Sequence, residues 1–293
     1  MIYTPPGMSI EKIAVIGAGT MGSQIALQTA YSGAYRVALT DAAGDQLERA
    51  AGQNAKLAAR AVERGRKSQE EADRALAAIE TTADLGAALD GAGLVIEAVY
   101  ENLDAKLEVW RALGEQASPD AILASNSSTI AISRLADVAP GPERCCNMHF
   151  FHPVTVMQLC EVVRGPRTSD ETVDAAMAFV RSIDRVPVLI RKEVHGFIVN
   201  RILFAAAEEA MRLLEGGYAS FEDIDTAVKK GLNWPMGPFE VLDFSGLDVF
   251  YGAIEDRARL EGGQGAPAIL REKVERGELG RKTGRGFYDY SQR

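Results

Sequence analysis

Apolar and polar positions along the chain change period twice, and those changes mark its organisation. Ile13 to Ile16 form an uninterrupted apolar run, as in a strand buried on both faces. A helix from Met21 to about Tyr31 follows, then a second strand, RVALT, ending at Asp41. Beyond it, Leu47, Ala50, Ala51, Asn54, Ala58 and Ala61 fall on one helical face at three- and four-residue spacing. Gly65 ends that helix, and Ser68 with Glu71 makes the capping box of the next. The pattern predicts a helical hairpin inserted over about 44–80. Strands then read at LVIEAV, AILAS, CCNMHF, QLCEVV and VPVLI, with helices at 103–116, near Ser133 and at 170–183.

After Gly196 the period becomes helical. FIVNRILFAAAEEAMRLLEGG reads as one long helix, FEDIDTAVKKG as another, and GPFEVLDFSGLDVFYGAIEDRARLEG as one or two more. Only GFYDY near the end alternates like a strand. Strands joined by helices imply a mostly parallel sheet covered on both faces. The expected fold is therefore α/β with a helical hairpin insert and an all-α second domain. Its domains are 1–191 and 192–293, with the boundary near 191–195.

The segment between the first strand and helix carries the most specific chemistry. GAGTMG places Gly17 at a tight turn, Gly19 where backbone can approach a pyrophosphate, and Gly22 where the helix packs close to the strand. Thr20 and Met21 open a helix whose free N–H groups and dipole favour phosphate. Asp41 lies 24 residues beyond Gly17, where an acidic side chain binds ribose hydroxyls. Asp41 would repel a 2′-phosphate, and Ala42, Ala43 and Gly44 provide no arginine to accept one. These residues predict a Rossmann-type domain that binds NAD rather than NADP.

Composition narrows the class further. With 47% hydrophobic and 25% charged residues, the chain is ordinary for a globular protein. A net charge of −9 argues against nucleic acid as a partner. No apolar run reaches the roughly 18 residues of a membrane span, and MIYTPPGMSIEK lacks the pattern of a secretory signal. Cys145, Cys146 and Cys160, in apolar runs, read as reduced thiols of a cytoplasmic protein.

Two of the three histidines, His149 and His152, bracket HFFH at a strand end. Ligands bind beyond the carboxyl ends of strands in open parallel sheets, and an imidazole carries protons near neutral pH. Glu161 interrupts an apolar strand and is costly to bury unless paired. His149 is its natural partner, and the carboxylate would fix the imidazole tautomer. A purely structural buried pair is the alternative. No metal site is expected, since His149 and His152 lack further ligands at metal spacing. Arg60, Arg64, Arg66 and Lys67 surround the hairpin turn, either as a solvated turn or as a phosphate-binding one.

Taken together, GAGTMG, VIEAVYENLDAK, ASNSST, MHFFHPVTVMQLCEV, GFIVNR, WPMGPFEVLDFSGLD and RKTGRGFYDY resemble the L-3-hydroxyacyl-CoA dehydrogenase family over nearly the whole chain. The resemblance implies oxidation of a short L-3-hydroxyacyl-CoA, such as 3-hydroxybutyryl-CoA, or the reverse. It implies His149 as general acid/base, Glu161 as its orienting partner, and Ser128 and Asn200 as substrate contacts. It makes Glu101, Lys106 and Lys282 contacts to the nicotinamide nucleotide. It assigns coenzyme A to the hairpin, hence to Arg60, Arg64 and Lys67, and a homodimer interface to the second domain. Two positions depart from the family. His152 replaces an asparagine that touches the nicotinamide half of the cofactor, and His195 replaces a proline before GFIVNR. The rival reading keeps the fold and takes a non-CoA hydroxy acid, whose carboxylate His152 would meet.

Overall fold

Alternation within the strands decides which core each side chain enters. In β1 (Lys12–Ile16), Ile13 and Val15 join one core with Ile25 and Leu27 of α1 (Thr20–Tyr31). Ala14 and Ile16 point the other way, into a second core with Trp110 and Leu113. A strand with helices on both faces must be apolar throughout, which is why this run shows no polar period. The computed structural model describes residues 10–139 and 141–291. Residues 1–9 of the stretch read for a secretory signal lie outside the described residues. The chain divides into two compact units, one ending at Phe197 and one beginning at Ile198.

The first unit adds β2 (Arg36–Thr40), α2 (Gly44–Glu63), α3 (Gln69–Ala77), β3 (Ile79–Thr82) and α4 (Leu85–Leu89). It continues with β4 (Leu94–Glu97), α5 (Leu103–Gln116), β5 (Ile122–Ser125), β6 (Cys145–Phe150), β7 (Leu159–Arg164), α6 (Asp170–Ser182) and β8 (Val186–Ile190). The sheet order is β3-β2-β1-β4-β5-β6-β7-β8. Neighbours run parallel except β6 and β7. Their connection, 151–158, is shorter than the dozen or so residues a parallel crossover needs, so the chain must turn back.

Several expectations need correction. The hairpin is present, with Ser68 and Glu71 exchanging both capping-box bonds at 2.8 and 3.1 Å. It is the crossover to β3, an edge strand whose sequence, IETT, is too short and polar to read as one. Leu47, Ala50, Asn54 and Ala58 are its buried face, whereas Ala51 faces solvent. The helix expected near Ser133 is a single 3₁₀ turn, Ile132–Arg134.

The second unit contains α7 (Val199–Glu215), α8 (Phe221–Gly231), α9 (Pro238–Ser245), α10 (Leu247–Glu261) and α11 (Ala268–Glu275). The long helix begins at Val199 because Gly196 and Phe197 both take left-handed backbone, at φ 74° and 53°. GFYDY forms isolated bridges rather than a strand. Two buried carboxylates organise this unit. Asp225 accepts from the N–H of Phe239 and Glu240, which open α9, and from the Tyr288 hydroxyl. Asp243 accepts from Phe287 N and Tyr288 N, both at 2.8 Å. A Cβ on Gly286 would lie 2.0 Å from Asp243 Oδ1, so only glycine lets that segment dock. Burial pushes both carboxyls above the usual range, against amide hydrogen bonds that pull them down.

Asp243→Ala leaves two buried N–H groups without an acceptor, each costing about 1–3 kcal/mol. It should lower the thermal unfolding midpoint clearly. Asp243→Asn, which keeps one acceptor and buries no charge, should lower it less. Calorimetry of the full chain checks the order.

Candidate active site

The β1–α1 turn is built by steric exclusion. Gly17 takes φ 99°, and a Cβ there would lie 2.8 Å from Ala98 O. A Cβ on Gly22 would lie 1.8 Å from Gly17 O, which no side chain survives. Gly19 differs: a Cβ there meets nothing within 4 Å, because it borders open space. That space is a cavity of about 800 Å³ lined by Gly17, Gly19, Thr20, Met21, Asp41 and neighbouring residues. It lies at the carboxyl ends of β1, β2 and β4, where the strand order reverses. No acidic residue occupies the first turn of α1. Asp41 is oriented by Ala18 N to Oδ2 at 2.8 Å and Ala43 N to Oδ1 at 3.0 Å. Bare backbone, a helix N-terminus and a fixed carboxylate at the far end fit a dinucleotide with free ribose hydroxyls.

His149 and Glu161 are directly opposite across the antiparallel β6–β7 pair. Their side chains meet with His149 Nδ1 and Glu161 Oε2 at 2.8 Å. Both are buried, at 6% and 1% exposure, so the contact is little screened by water. The imidazole is flanked by Phe151 at 4.5 Å and Phe197 at 5.6 Å between ring centroids. Because a carboxylate only accepts, Nδ1 carries the hydrogen and the neutral ring keeps its lone pair on Nε2. The neighbouring Phe150 N–H donates to Asn126 Oδ1 at 2.9 Å, tying the end of β6 to the residue after β5.

Glu101 and Ser128 are brought together. Glu101 Oε1 accepts from Ser127 Oγ (2.5 Å), Ser128 N (3.1 Å), Thr129 N (3.1 Å) and Thr129 Oγ1 (2.8 Å). Burial pushes its carboxyl up, but Lys106 and these hydrogen bonds outweigh that and hold it below the usual range. Lys106 is 1% exposed and turned inward, with Nζ 2.6 Å from Glu97 Oε1 and 3.4 Å from Glu101 Oε2. Neither it nor Glu101 lines the cavity. His152 is exposed in the turn after β6 and also lies outside that lining. Asn200, in the first turn of α7, and Lys282, paired with Asp248 at 2.5 Å, belong to the second unit.

Arg60, Arg64 and Lys67 share a second cavity, of about 550 Å³, with Arg66, Tyr31 and Arg185. The hairpin turn thus forms one wall of an open basic recess, in which Arg60, Arg64 and Arg66 remain exposed to solvent. Lys67 stands over the Tyr31 ring, 5.1 Å from its centroid.

Glu97, Asn126 and Asn147 organise this rim and escaped the sequence reading. Asn147 is buried and bonds to Ile130, Ile132 and Ser125, all at least 15 positions away in the chain. For Glu97 and Asn147 a polar residue in an apolar strand was the only signal, and it was followed only for Glu161; Asn126, in the loop after β5, had none. Burial raises all three thiols, Cys145 to about 12, so they stay protonated. Among the described residues, no group of three or more His, Cys, Asp or Glu is placed to hold a metal ion, and no helix is long and apolar enough to cross a membrane.

Comparison with known proteins agrees with this geometry. The model of the 3-hydroxyacyl-CoA dehydrogenase NAD-binding domain matches residues 12–194, and that of the family's C-terminal domain matches 196–290. A probable 3-hydroxybutyryl-CoA dehydrogenase of Bacillus subtilis is 38% identical over 288 residues, covering 98% of this chain and 99% of that protein. The mitochondrial hydroxyacyl-coenzyme A dehydrogenase of Sus scrofa is 37% identical over 96% of this chain and 91% of its own. The crystal structure of (S)-3-hydroxybutyryl-CoA dehydrogenase from Ralstonia eutropha superposes with a TM-score of 0.92 at 36% identity, covering 97% of this chain and all of that one. An NAD-binding first domain and a helical second domain, matched end to end, make this chain a member of the 3-hydroxyacyl-CoA dehydrogenase family.

Proposed function

We propose that the protein interconverts a short-chain L-3-hydroxyacyl-CoA and its 3-ketoacyl-CoA with NAD, 3-hydroxybutyryl-CoA being the type substrate. The observation that carries this reading is the buried His149–Glu161 pair at the carboxyl rim of a sheet that also bears a dinucleotide cradle. NAD, when bound, supplies the hydride acceptor, and NADH the donor.

The chain's own residues handle the proton and the positions. In oxidation, His149 Nε2 takes the hydroxyl proton of the substrate; in reduction it returns one to the forming alkoxide. Glu161 accepts from Nδ1–H throughout, which orients the ring and stabilises the imidazolium. Asp41 binds the adenosine ribose, and Glu101, Lys106 and Lys282 order the nicotinamide side. Ser128 and Asn200 hydrogen-bond the substrate near its reacting carbon. A neutral His152 takes over the amide contact that the family's asparagine makes. Arg60, Arg64 and Lys67 hold the phosphates of coenzyme A, a role the shared basic recess supports. Fixing the substrate by this remote handle lowers the entropic barrier to transfer. Exposed Ile202, Phe244, Val249 and Leu260 on the second unit support a homodimer formed through it. Protonated, unpaired thiols support a cytoplasmic setting.

NADH absorbance should fall with acetoacetyl-CoA and stay flat with free acetoacetate. Arg64→Ala should raise KM for acetoacetyl-CoA about tenfold, near 1.4 kcal/mol. It should leave KM unchanged for the N-acetylcysteamine thioester, which has no phosphates. Turnover of free acetoacetate alone would replace the acyl-CoA reading with the free-acid one.

Asp41→Ala should weaken NADH binding and narrow the preference over NADPH, read from kcat/KM with each cofactor. An unchanged preference would show that another residue sets it.

A further inference from the structure

One buried carboxylate has no part in the chemistry above. Glu97, the last residue of β4, is fully buried, yet β4 would be more simply built with an apolar side chain there. It accepts from Lys106 Nζ at 2.6 Å, Ser125 Oγ at 2.7 Å, Val99 N at 2.8 Å and Trp110 Nε1 at 3.3 Å. Lys106 and Trp110 stand four apart on α5, so one helical face presents both donors to the end of the strand. Burying an ion pair gains little stability over well-packed apolar residues of the same volume. Stability alone therefore explains this cluster poorly.

What the cluster grips is more telling. On one side, Lys106 reaches Glu101, whose Oε1 holds Ser127, Ser128 and Thr129. On the other, Ser125 Oγ donates to Glu97 and accepts from Ser127 N at 3.2 Å. Two separate routes thus lead from one carboxylate to the same three-residue loop. Ser127 Oγ also accepts from Ile130 N at 2.8 Å, closing the loop on itself.

We propose that Glu97 is a positioning residue, which holds Lys106 and Ser125 so that the Ser127–Thr129 loop presents Ser128 to the substrate. The proposal rests on the reading that Ser128 faces the acyl group and that Glu101 and Lys106 order the nicotinamide side. Freed of Glu97, the Lys106 ammonium has only Glu101 as a charged partner and pulls that carboxylate away from the loop.

The test compares Glu97→Gln, Lys106→Met, the double variant and Ser125→Ala, each for kcat with acetoacetyl-CoA, NADH affinity and thermal midpoint. Glu97→Gln should lower kcat about tenfold or more, as loss of supporting contacts around an active site does. In the double variant no uncompensated ammonium remains, so the thermal midpoint should recover while kcat stays low. The double variant should be no slower than the slower single one, since both act along one route. Recovery of kcat together with the midpoint, or Glu97→Gln within twofold of wild type, would overturn the proposal and leave Glu97 purely structural. Should Glu97→Gln not fold, Ser125→Ala decides: it buries no charge, and kcat about threefold lower supports the proposal, whereas unchanged kcat refutes it. A wild-type enzyme inert on acetoacetyl-CoA would count against the substrate reading instead. The same variants would then be judged by NADH affinity alone, where a loss of about tenfold is expected and no loss overturns the proposal.

Discussion

A single reversal of strand direction brings together the two residues proposed to move the proton in this protein. The connection between β6 and β7 is too short to cross over the sheet, so β7 runs against the strands before it. Antiparallel register puts residues of the two strands face to face, and Glu161 thereby stands opposite His149. A parallel β7 would have entered the sheet from the other end and taken its carboxylate elsewhere. The paired residues are buried because β8 covers the far side of β7, leaving neither strand at the edge of the sheet. Topology, rather than local sequence, turns a histidine and a glutamate twelve positions apart into a hydrogen-bonded pair.

The rest of the rim repeats this economy with charges. Asp41 is held by two backbone N–H groups, Glu101 by a loop of hydroxyls and amides, and Glu97 by a lysine, an indole, a hydroxyl and an amide. Each carboxylate accepts from two or more donors, which fixes its orientation. Of the three, only Asp41 lines the glycine-bordered cavity; Glu101 and Glu97 hold the neighbouring loop and helix. In the second unit Asp225 and Asp243 serve a different end. They join segments far apart in sequence, and they explain why GPFEVLD and GRGFYDY occur together in one chain.

Legibility in the sequence followed the range of the interactions. The glycine turn was readable because its constraints act within a few residues, and each glycine there answers to a distinct clash or opening. The hairpin was readable because a capping box and a helical period are local signals. β3 escaped because an edge strand of four mixed residues has no period to find. The left-handed Phe197, which shortens the following helix, is held by packing with Val163 and Ile190, and no rule of propensity foresees it. Lys106 was legible only by resemblance, as a nicotinamide contact; its buried partner Glu97 lies on a different element, and only the fold brings them together.

The proposed function depends most on the His149–Glu161 pair acting on a proton. Steady-state turnover of acetoacetyl-CoA by His149→Gln and Glu161→Gln, measured beside NADH binding, is the most direct examination. The proposed acid/base role predicts that His149→Gln lowers kcat by about 10² to 10⁴ and that Glu161→Gln lowers it by less, with NADH affinity retained in both. Near-normal kcat in His149→Gln, with the protein folded and NADH bound, would contradict it.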